Sequence, residues 1–188
     1  MADKSSACNH YRIILLRACF WKAPMPRFYI MRHAKSDWQN LLSDIDRPLN
    51  ARGAQDAARI GKELAQREST PGIILASPAT RARQTAAAVA AAFPSPPPTE
   101  TIDSLYLADA ARLRAALEQH IERRPLLIAH NPGLDELLLA LCGSHVPRTA
   151  TGKLMTTANV AIIEAKDSET LYLPGACRLI ALIRPKAL

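Results

Sequence analysis

Short apolar segments alternate with helical patterns along most of this chain, and this alternation constrains the fold more than any other feature. Three apolar segments, residues 27–31, 73–76 and 126–129, have the length of buried strands. Stretches with Ala and Leu at helical spacing lie between and after them. Strands that alternate with helices build a sheet with helices on both faces. We therefore expect a single-domain, three-layer α/β/α fold with a mostly parallel central sheet.

Turn and capping residues set the expected bounds of the other elements. Asn50 is the expected N-cap of a helix that runs to about Arg67. Further helices are predicted over residues 80–93, 110–121 and 132–141, the last with Asn131 as its cap, Pro132 in its first turn and Gly143 after its end. Late strands are predicted at residues 159–164, 171–173 and 178–184, where an antiparallel part of the sheet would lie.

The first 24 residues differ in composition from the rest of the chain. They carry a net charge of +3 out of the total of +7, and their apolar run, residues 13–16, is shorter than the core of a secretory signal peptide. We expect residues 1–24 to be a disordered extension or a mis-assigned start, with a targeting peptide as the alternative. The folded domain is then expected over residues 25–188.

Composition excludes several classes of protein. No apolar run approaches the roughly 18 residues that a membrane span needs. The net charge of +7 favours anionic ligands, but no basic run with interleaved aromatic residues indicates nucleic-acid binding. Cys8, Cys19, Cys142 and Cys177 form no C-x-x-C pair and no zinc-ligand spacing. We expect a cytoplasmic monomer with reduced thiols, no cofactor, no metal and no membrane or nucleic-acid partner.

Basic and reactive side chains follow three of the predicted strands. In open α/β sheets, ligands bind beyond the carboxyl ends of the strands, so residues at these ends would meet in one pocket. The residues concerned are Arg32, His33, Ser77 with Arg81 behind it, His130 and Asn131. Helices that begin behind Ser77 and Asn131 would add backbone N–H donors to the same pocket.

This set of residue types suits phosphoryl transfer. Arginine presents a planar fork that matches phosphate oxygens. A histidine among arginines has a lowered pKa, so it stays neutral and can attack phosphorus. No acidic cluster suited to Mg²⁺ accompanies these residues. The sequence therefore predicts phosphoryl transfer through a phosphohistidine without a metal.

Three motifs of this chain resemble those of the histidine phosphatase superfamily, which has the phosphoglycerate-mutase-like fold. They are residues 32–34 (RHA), 77–85 (SPATRARQT) and 129–133 (AHNPG), and together they place the resemblance over the chain from about Pro26 to the C-terminus. The short chain, the segment 46–53 (DRPLNARG) and the closing residues 184–186 (RPK) most resemble the SixA-type phosphohistidine phosphatases of that superfamily.

The resemblance implies a role for each residue at the strand ends. His33 would be the nucleophile, and Arg32, Arg81 and His130 would bind the phosphoryl group. Lys35 and Asn131 lie close enough in sequence to be further substrate contacts, with a capping or solvent-facing role as the alternative. The resemblance implies a metal-independent phosphatase of protein phosphohistidine that acts in signal transduction. A phosphatase of small phosphate esters and a non-catalytic phospho-ligand binding module are the alternatives.

Two features depart from the wider superfamily. Ala34 follows the nucleophilic histidine where glycine is usual, and no acid clearly matches the one that protonates the leaving group in larger members. Asp103 lies in the right region, but we expect it to be a solvated loop residue, as SixA-type members lack this acid as well.

Two further residues of the sequence raise competing interpretations of the site. Cys142 and Arg148 have the spacing found in cysteine-dependent phosphatases, but Cys142 ends an apolar helical run, so we expect it in the core. Arg83 lies two residues after Arg81 on the same predicted helix, so the two side chains cannot share a face. We expect Arg83 to be a surface residue.

Overall fold

A computed structural model describes residues 26–39, 41–67, 70–165, 171 and 173–188 of the chain. The strands are β1 (Arg27–Arg32), β2 (Ile73–Ala76), β3 (Thr99–Thr101), β4 (Pro125–Ala129), β5 (Val160–Glu164) and β6 (Arg178–Ile183). The helices are α1 (Ala51–Ala65), α2 (Thr80–Ala90), α3 (Ala110–His120) and α4 (Gly133–Cys142). The predicted extension, residues 1–24, lies outside the described residues.

The six strands form one mixed sheet in the order β3-β2-β4-β1-β5-β6. The first four of these strands run parallel, and β5 pairs antiparallel with both β1 and β6. The predicted α/β fold with a mostly parallel sheet and an antiparallel late part is confirmed. Its consequence for the site is that β1, β2 and β4 are adjacent and end at the same edge.

Alternate residues of β1 pack into two different helical layers. Phe28 and Ile30 belong to the core that α3 and α4 cover, and Tyr29 and Met31 belong to the core that α1 and α2 cover. All four side chains are completely buried. The period-2 alternation of side chains along a strand therefore builds both halves of the three-layer fold around β1.

The start of α1 holds the segment that follows β1. Asn50 caps the helix as predicted, since its Oδ1 accepts a hydrogen bond of 2.8 Å from the Gly53 backbone N–H. The Asn50 N–H in turn donates to the Lys35 carbonyl at 3.0 Å. A Cβ atom at position 53 would lie 2.1 Å from that same carbonyl oxygen, so only glycine permits this close approach.

The structure differs from the predicted elements at Asn131 and at β3, and it describes only part of the strand predicted over residues 171–173. Asn131 does not cap α4, because its Nδ2 donates to the Met155 carbonyl at 3.1 Å and the helix begins at Gly133, after a cis Asn131–Pro132 peptide bond. The sequence analysis missed β3, which is a three-residue exposed strand of polar residues without an apolar pattern. The strand predicted over residues 171–173 falls partly outside the described residues, and Leu171 and Leu173 themselves lie outside the sheet.

The helices of the described part of the chain are all too short or too polar to cross a membrane.

Candidate active site

A pocket of about 350 Å³ lies where β1, β2 and β4 end. The backbone fixes this arrangement, because the His33 N–H donates to the Ala129 carbonyl at 3.1 Å and the Ser77 N–H donates to the Ile128 carbonyl at 3.0 Å. All six side chains predicted from the sequence to form a site line this one pocket. They are Arg32, His33, Lys35, Arg81, His130 and Asn131.

His33 is held as a neutral imidazole with a defined tautomer. Its Nδ1 lies 2.7 Å from the Ala34 carbonyl oxygen, which can only accept a hydrogen bond, so Nδ1 carries the proton. Burial, together with the nearby charges of Arg81 and Arg32, lowers the pKa of His33 to about 4, against the opposing effect of the hydrogen bond to the Ala34 carbonyl. Nε2 is therefore unprotonated at neutral pH and can accept a hydrogen bond.

His130 is also neutral, with the opposite tautomer. Its Nδ1 lies 3.3 Å from an Arg81 terminal nitrogen, which can only donate, so Nδ1 is the acceptor. Its Nε2 lies 2.7 Å from the Ser77 Oγ and carries the proton. Burial is the main cause that lowers the pKa of His130 to about 3. The charge that His33 would carry when protonated and the charge of Arg81 lower it as well. Ser77, at the end of β2, therefore orients the ring of His130.

Arg81 connects the two imidazoles. Its Nε donates to the His33 Nε2 at 3.3 Å, and a terminal nitrogen reaches the His130 Nδ1 at the same distance. Its side chain is almost completely buried, although it carries a charge that burial makes costly. A buried cation between two neutral rings creates a strong preference for an anion in this pocket.

That anion is supplied by Asp44, a residue that the sequence analysis missed. The Asp44 Oδ2 accepts hydrogen bonds of 2.8 Å from Arg81 and from the Tyr106 hydroxyl, and its backbone carbonyl accepts a further bond from Arg81. Burial alone would raise the pKa of Asp44, but hydrogen bonds from Tyr106, Arg47 and Arg81 outweigh this effect and hold the pKa well below its usual range. Asp44 is therefore an ionised carboxylate, and nearly half of its side chain is exposed to solvent.

Arg47 is a fourth cationic group of the pocket that the sequence analysis did not select. Its guanidinium bonds to the Ser36 Oγ at 3.2 Å and to the Asp44 Oδ1 at 2.5 Å. It also lies 3.5 Å from the centre of the Trp38 ring, in a cation–π contact. Arg47 lies in the segment 46–53 that resembles SixA-type members, but the sequence analysis gave it no role, because the loop between β1 and α1 brings it to the pocket only in the folded chain.

Arg32 and Asn131 meet at a backbone carbonyl of a different segment. The Met155 carbonyl accepts hydrogen bonds from Arg32 at 3.0 Å and from Asn131 at 3.1 Å. The Met155 N–H donates to the Asp135 Oδ1 at 3.0 Å, which fixes this peptide unit. The Nε of Arg32 and the Oδ1 of Asn131 are buried and have no hydrogen-bond partner among the described residues.

The N–H groups of Ala79 and Thr80 at the start of α2 bond within the protein and not to the pocket, contrary to expectation. The Ala79 N–H points to the Ser77 Oγ at 3.4 Å, and the Thr80 N–H donates to the Ile45 carbonyl at 2.8 Å. Arg83 is exposed and its guanidinium contacts the Thr80 hydroxyl at 3.3 Å. Charge in this part of the pocket therefore comes from the Arg81 side chain.

Other residues considered at the sequence level lie away from the pocket. Asp103 is exposed in a 3₁₀ turn and does not line it. Cys142 is half-buried at the end of α4, and burial raises the pKa of its thiol to about 12, so it is not a thiolate at neutral pH. The described segments contain no group of three or more His, Cys, Asp or Glu residues placed to hold a metal ion.

Comparison with known proteins places this geometry among histidine phosphatases. The sequence profile of the histidine phosphatase superfamily (branch 1) matches residues 28–105. A crystal structure from Agrobacterium tumefaciens, assigned as the phosphohistidine phosphatase SixA, is 30% identical, covers 86% of this chain and 99% of its own, and superposes with a TM-score of 0.73.

Two further relatives span most of the chain. The protein histidine phosphatase SixA in complex with tungstate is 24% identical over 86% of this chain and 98% of its own, with a TM-score of 0.71, which shows the shared fold. An uncharacterised chloroplastic protein of Arabidopsis thaliana is 28% identical over 178 residues, which are 85% of this chain and 78% of that protein.

The buried neutral imidazoles predict how stability depends on pH. Between pH 6.5 and about 4 the unfolded chain binds protons at His33 and His130 that the folded chain does not, because both folded pKa values are lowered. Each histidine should contribute a fall of about 2 kcal/mol between pH 7 and pH 5, so the free energy of unfolding should fall on the order of 4 kcal/mol in total. Urea unfolding at several pH values across this range measures this fall. In the variant His33→Gln, the free energy of unfolding should fall less between pH 7 and pH 5 than in the wild type. An unfolding free energy that is flat over this range in the wild type would contradict the account.

Asp44 should compete with any oxyanion for Arg81. Asp44→Asn removes the competing charge, so we expect inorganic phosphate or vanadate to bind about 3- to 10-fold more tightly, as measured by calorimetry. Asp46→Asn is the matched control, because Asp46 bonds to the Ser43 hydroxyl and does not line the pocket. Weaker binding in Asp44→Asn than in the control would show instead that Asp44 holds Arg81 in its binding position.

Proposed function

The chain belongs to the histidine phosphatase superfamily and is of its SixA type, and on this premise we propose that it hydrolyses protein phosphohistidine through a covalent phosphohistidine on His33. The single observation that supports this most directly is the tautomer of His33. Its Nδ1 proton is bound to the Ala34 carbonyl, and its Nε2 faces Arg81 at 3.3 Å. A neutral ring with an unprotonated Nε2 beside a guanidinium is suited to attack on a phosphoryl group.

The proposed reaction has two displacements at the same phosphorus atom. In the first, the His33 Nε2 attacks phosphorus and the bond from phosphorus to the leaving group breaks. In the second, water attacks phosphorus, which frees Nε2 and yields inorganic phosphate. Arg32, Arg47 and Arg81 would stabilise the charge on the phosphoryl oxygens in both steps. His130 would take up a proton at Nδ1 when the dianion binds and donate it as a hydrogen bond.

The carboxylates near the pocket support phosphohistidine as the substrate. Asp44 is ionised and bonded to Arg81, and Asp103 is exposed outside the pocket, so neither is placed to protonate a leaving group. Departure of an alkoxide from a phosphate ester needs such a donor. The second ring nitrogen of a phosphohistidine can take a proton from solvent near neutral pH, so the group departs as neutral imidazole, whose conjugate acid has a pKa near 6.5, far more readily than an alkoxide. Neither displacement in the proposed reaction uses a metal ion, so EDTA should leave activity unchanged.

The surroundings of the pocket support a protein as the partner. Trp38 is 72% exposed and Leu107 is 60% exposed, and both line the pocket. Leu41 is fully exposed on the same loop as Trp38 and Asp44. Exposed apolar side chains grouped around a charged pocket are typical of a surface that contacts another protein. Tungstate bound to the related SixA structure is a tetrahedral oxyanion, consistent with a phosphoryl-sized ligand.

The two arginines near the start of α2 provide a matched pair. Arg81→Ala should lower kcat/KM at least about 10²-fold, because it removes a charge contact to the transition state. Arg83→Ala removes the same side chain from an exposed position on the same helix and should leave kcat/KM within about twofold. Steady-state kinetics of both variants on an aryl phosphate test the assignment. Equal losses in the two variants would contradict it.

Dependence on the leaving group tests the substrate class. Without a carboxylic acid as proton donor, kcat/KM on aryl phosphates should fall steeply as the pKa of the leaving phenol rises. The kcat/KM on phosphohistidine should also exceed the values on phosphoserine and sugar phosphates. Asp103→Asn should change neither result. A flat dependence would reveal an acid and support the alternative of a broad phosphomonoesterase, and binding of phosphate without any turnover would support a non-catalytic module.

A further inference from the structure

A second cleft, of about 410 Å³, adjoins the candidate active site. The two share the side chains of Lys35 and Thr157. The other walls of the cleft come from the start of α1, the segment between α4 and β5, and the residues after β6. A substrate held at His33 could therefore extend into the cleft without leaving the protein surface.

The cleft has a strong excess of positive charge. Its charged side chains are Lys35, Arg52, Asp56, Lys153, Arg184 and Lys186. The single carboxylate among these, Asp56, lies 3.5 Å from Arg52 and is balanced by it. Lys35, Lys153 and Lys186 are exposed and form no ion pair with any described residue. The remaining charge attracts anions to this part of the surface.

Two buried donors at the cleft lack acceptors. Asn159 is completely buried, and its Oδ1 accepts a hydrogen bond of 2.9 Å from the Thr156 hydroxyl, but its Nδ2 has no partner in the described part of the chain. The same holds for the buried Nε of Arg184, whose terminal nitrogen donates to the Pro147 carbonyl at 2.9 Å. Buried donors in folded proteins normally have acceptors, so these two N–H groups add to the preference of this region for an acceptor over a further donor.

We propose that this cleft binds carboxylate side chains that flank the phosphohistidine of the protein substrate. The inference rests on the proposed function, because the cleft opens beside the pocket where the phosphoryl group would sit. The exposed Trp38 and Leu107 line the active-site pocket but not the cleft. The substrate surface would therefore place apolar groups against these two residues and acidic groups against Lys153 and Lys186.

The test uses two phosphohistidine peptides that differ only in flanking residues, glutamate in one and glutamine in the other. The wild-type enzyme should prefer the glutamate peptide about 5- to 10-fold in kcat/KM at low ionic strength, chiefly through a lower KM. This preference should shrink at high salt, which screens exposed charges. The double variant Lys153→Gln/Lys186→Gln should lose most of the preference and keep its rate on a simple aryl phosphate.

The matched control is Lys62→Gln/Arg123→Gln, which removes two exposed positive charges outside the cleft. It should keep the wild-type preference. An equal loss of preference in both double variants would show a general charge effect, and a wild-type enzyme without any preference would show that the cleft does not bind acidic residues. If the enzyme hydrolyses the aryl phosphate normally but turns over neither peptide, phosphohistidine is not its substrate. That result would refute the proposed substrate class and the cleft proposal with it.

Discussion

The burial of the Arg81 guanidinium is the interaction on which the site depends. A cation with 2% of its surface exposed must be compensated by groups that the fold holds in place. Two of these groups are the neutral rings of His33 and His130, and the third is the carboxylate of Asp44. Burial keeps both rings neutral by lowering their pKa values, and the charge of Arg81 lowers these pKa values as well. The anion site and the neutral nucleophile therefore depend on the same buried surroundings.

The sheet provides the positions that this interaction needs. Parallel pairing of β4 with β1 and β2 brings His33, Ser77 and His130 to one edge. Hydrogen bonds then fix the rings, with the Ala34 carbonyl holding His33 and the Ser77 hydroxyl holding His130. His33 therefore presents its Nε2 toward Arg81, and His130 presents its Nδ1. Such pre-orientation lowers the cost of reaching the transition state, because little has to move.

The sequence predicted the parts of the site that depend on strand topology. His33, Arg81 and His130 follow apolar strands directly or by one helical turn, so the rule for parallel sheets places them together. Asp44 and Arg47 could not be found in this way, since they lie in an irregular loop whose path is set by tertiary contacts. The predicted role of Asn131 as the N-cap of α4 was wrong because a tertiary contact, the hydrogen bond from its amide to the Met155 carbonyl, orients its side chain. The polar strand β3 has no apolar pattern to detect.

The central claim is that His33 becomes phosphorylated, and a rapid-quench experiment measures this directly. Enzyme mixed with labelled aryl phosphate and quenched in alkali should carry label that is stable to base and lost in acid, and peptide mass spectrometry should place it on His33. His33→Ala should carry none and should not turn over substrate. Turnover without a trapped intermediate, or label on another residue such as Cys142, would contradict the account.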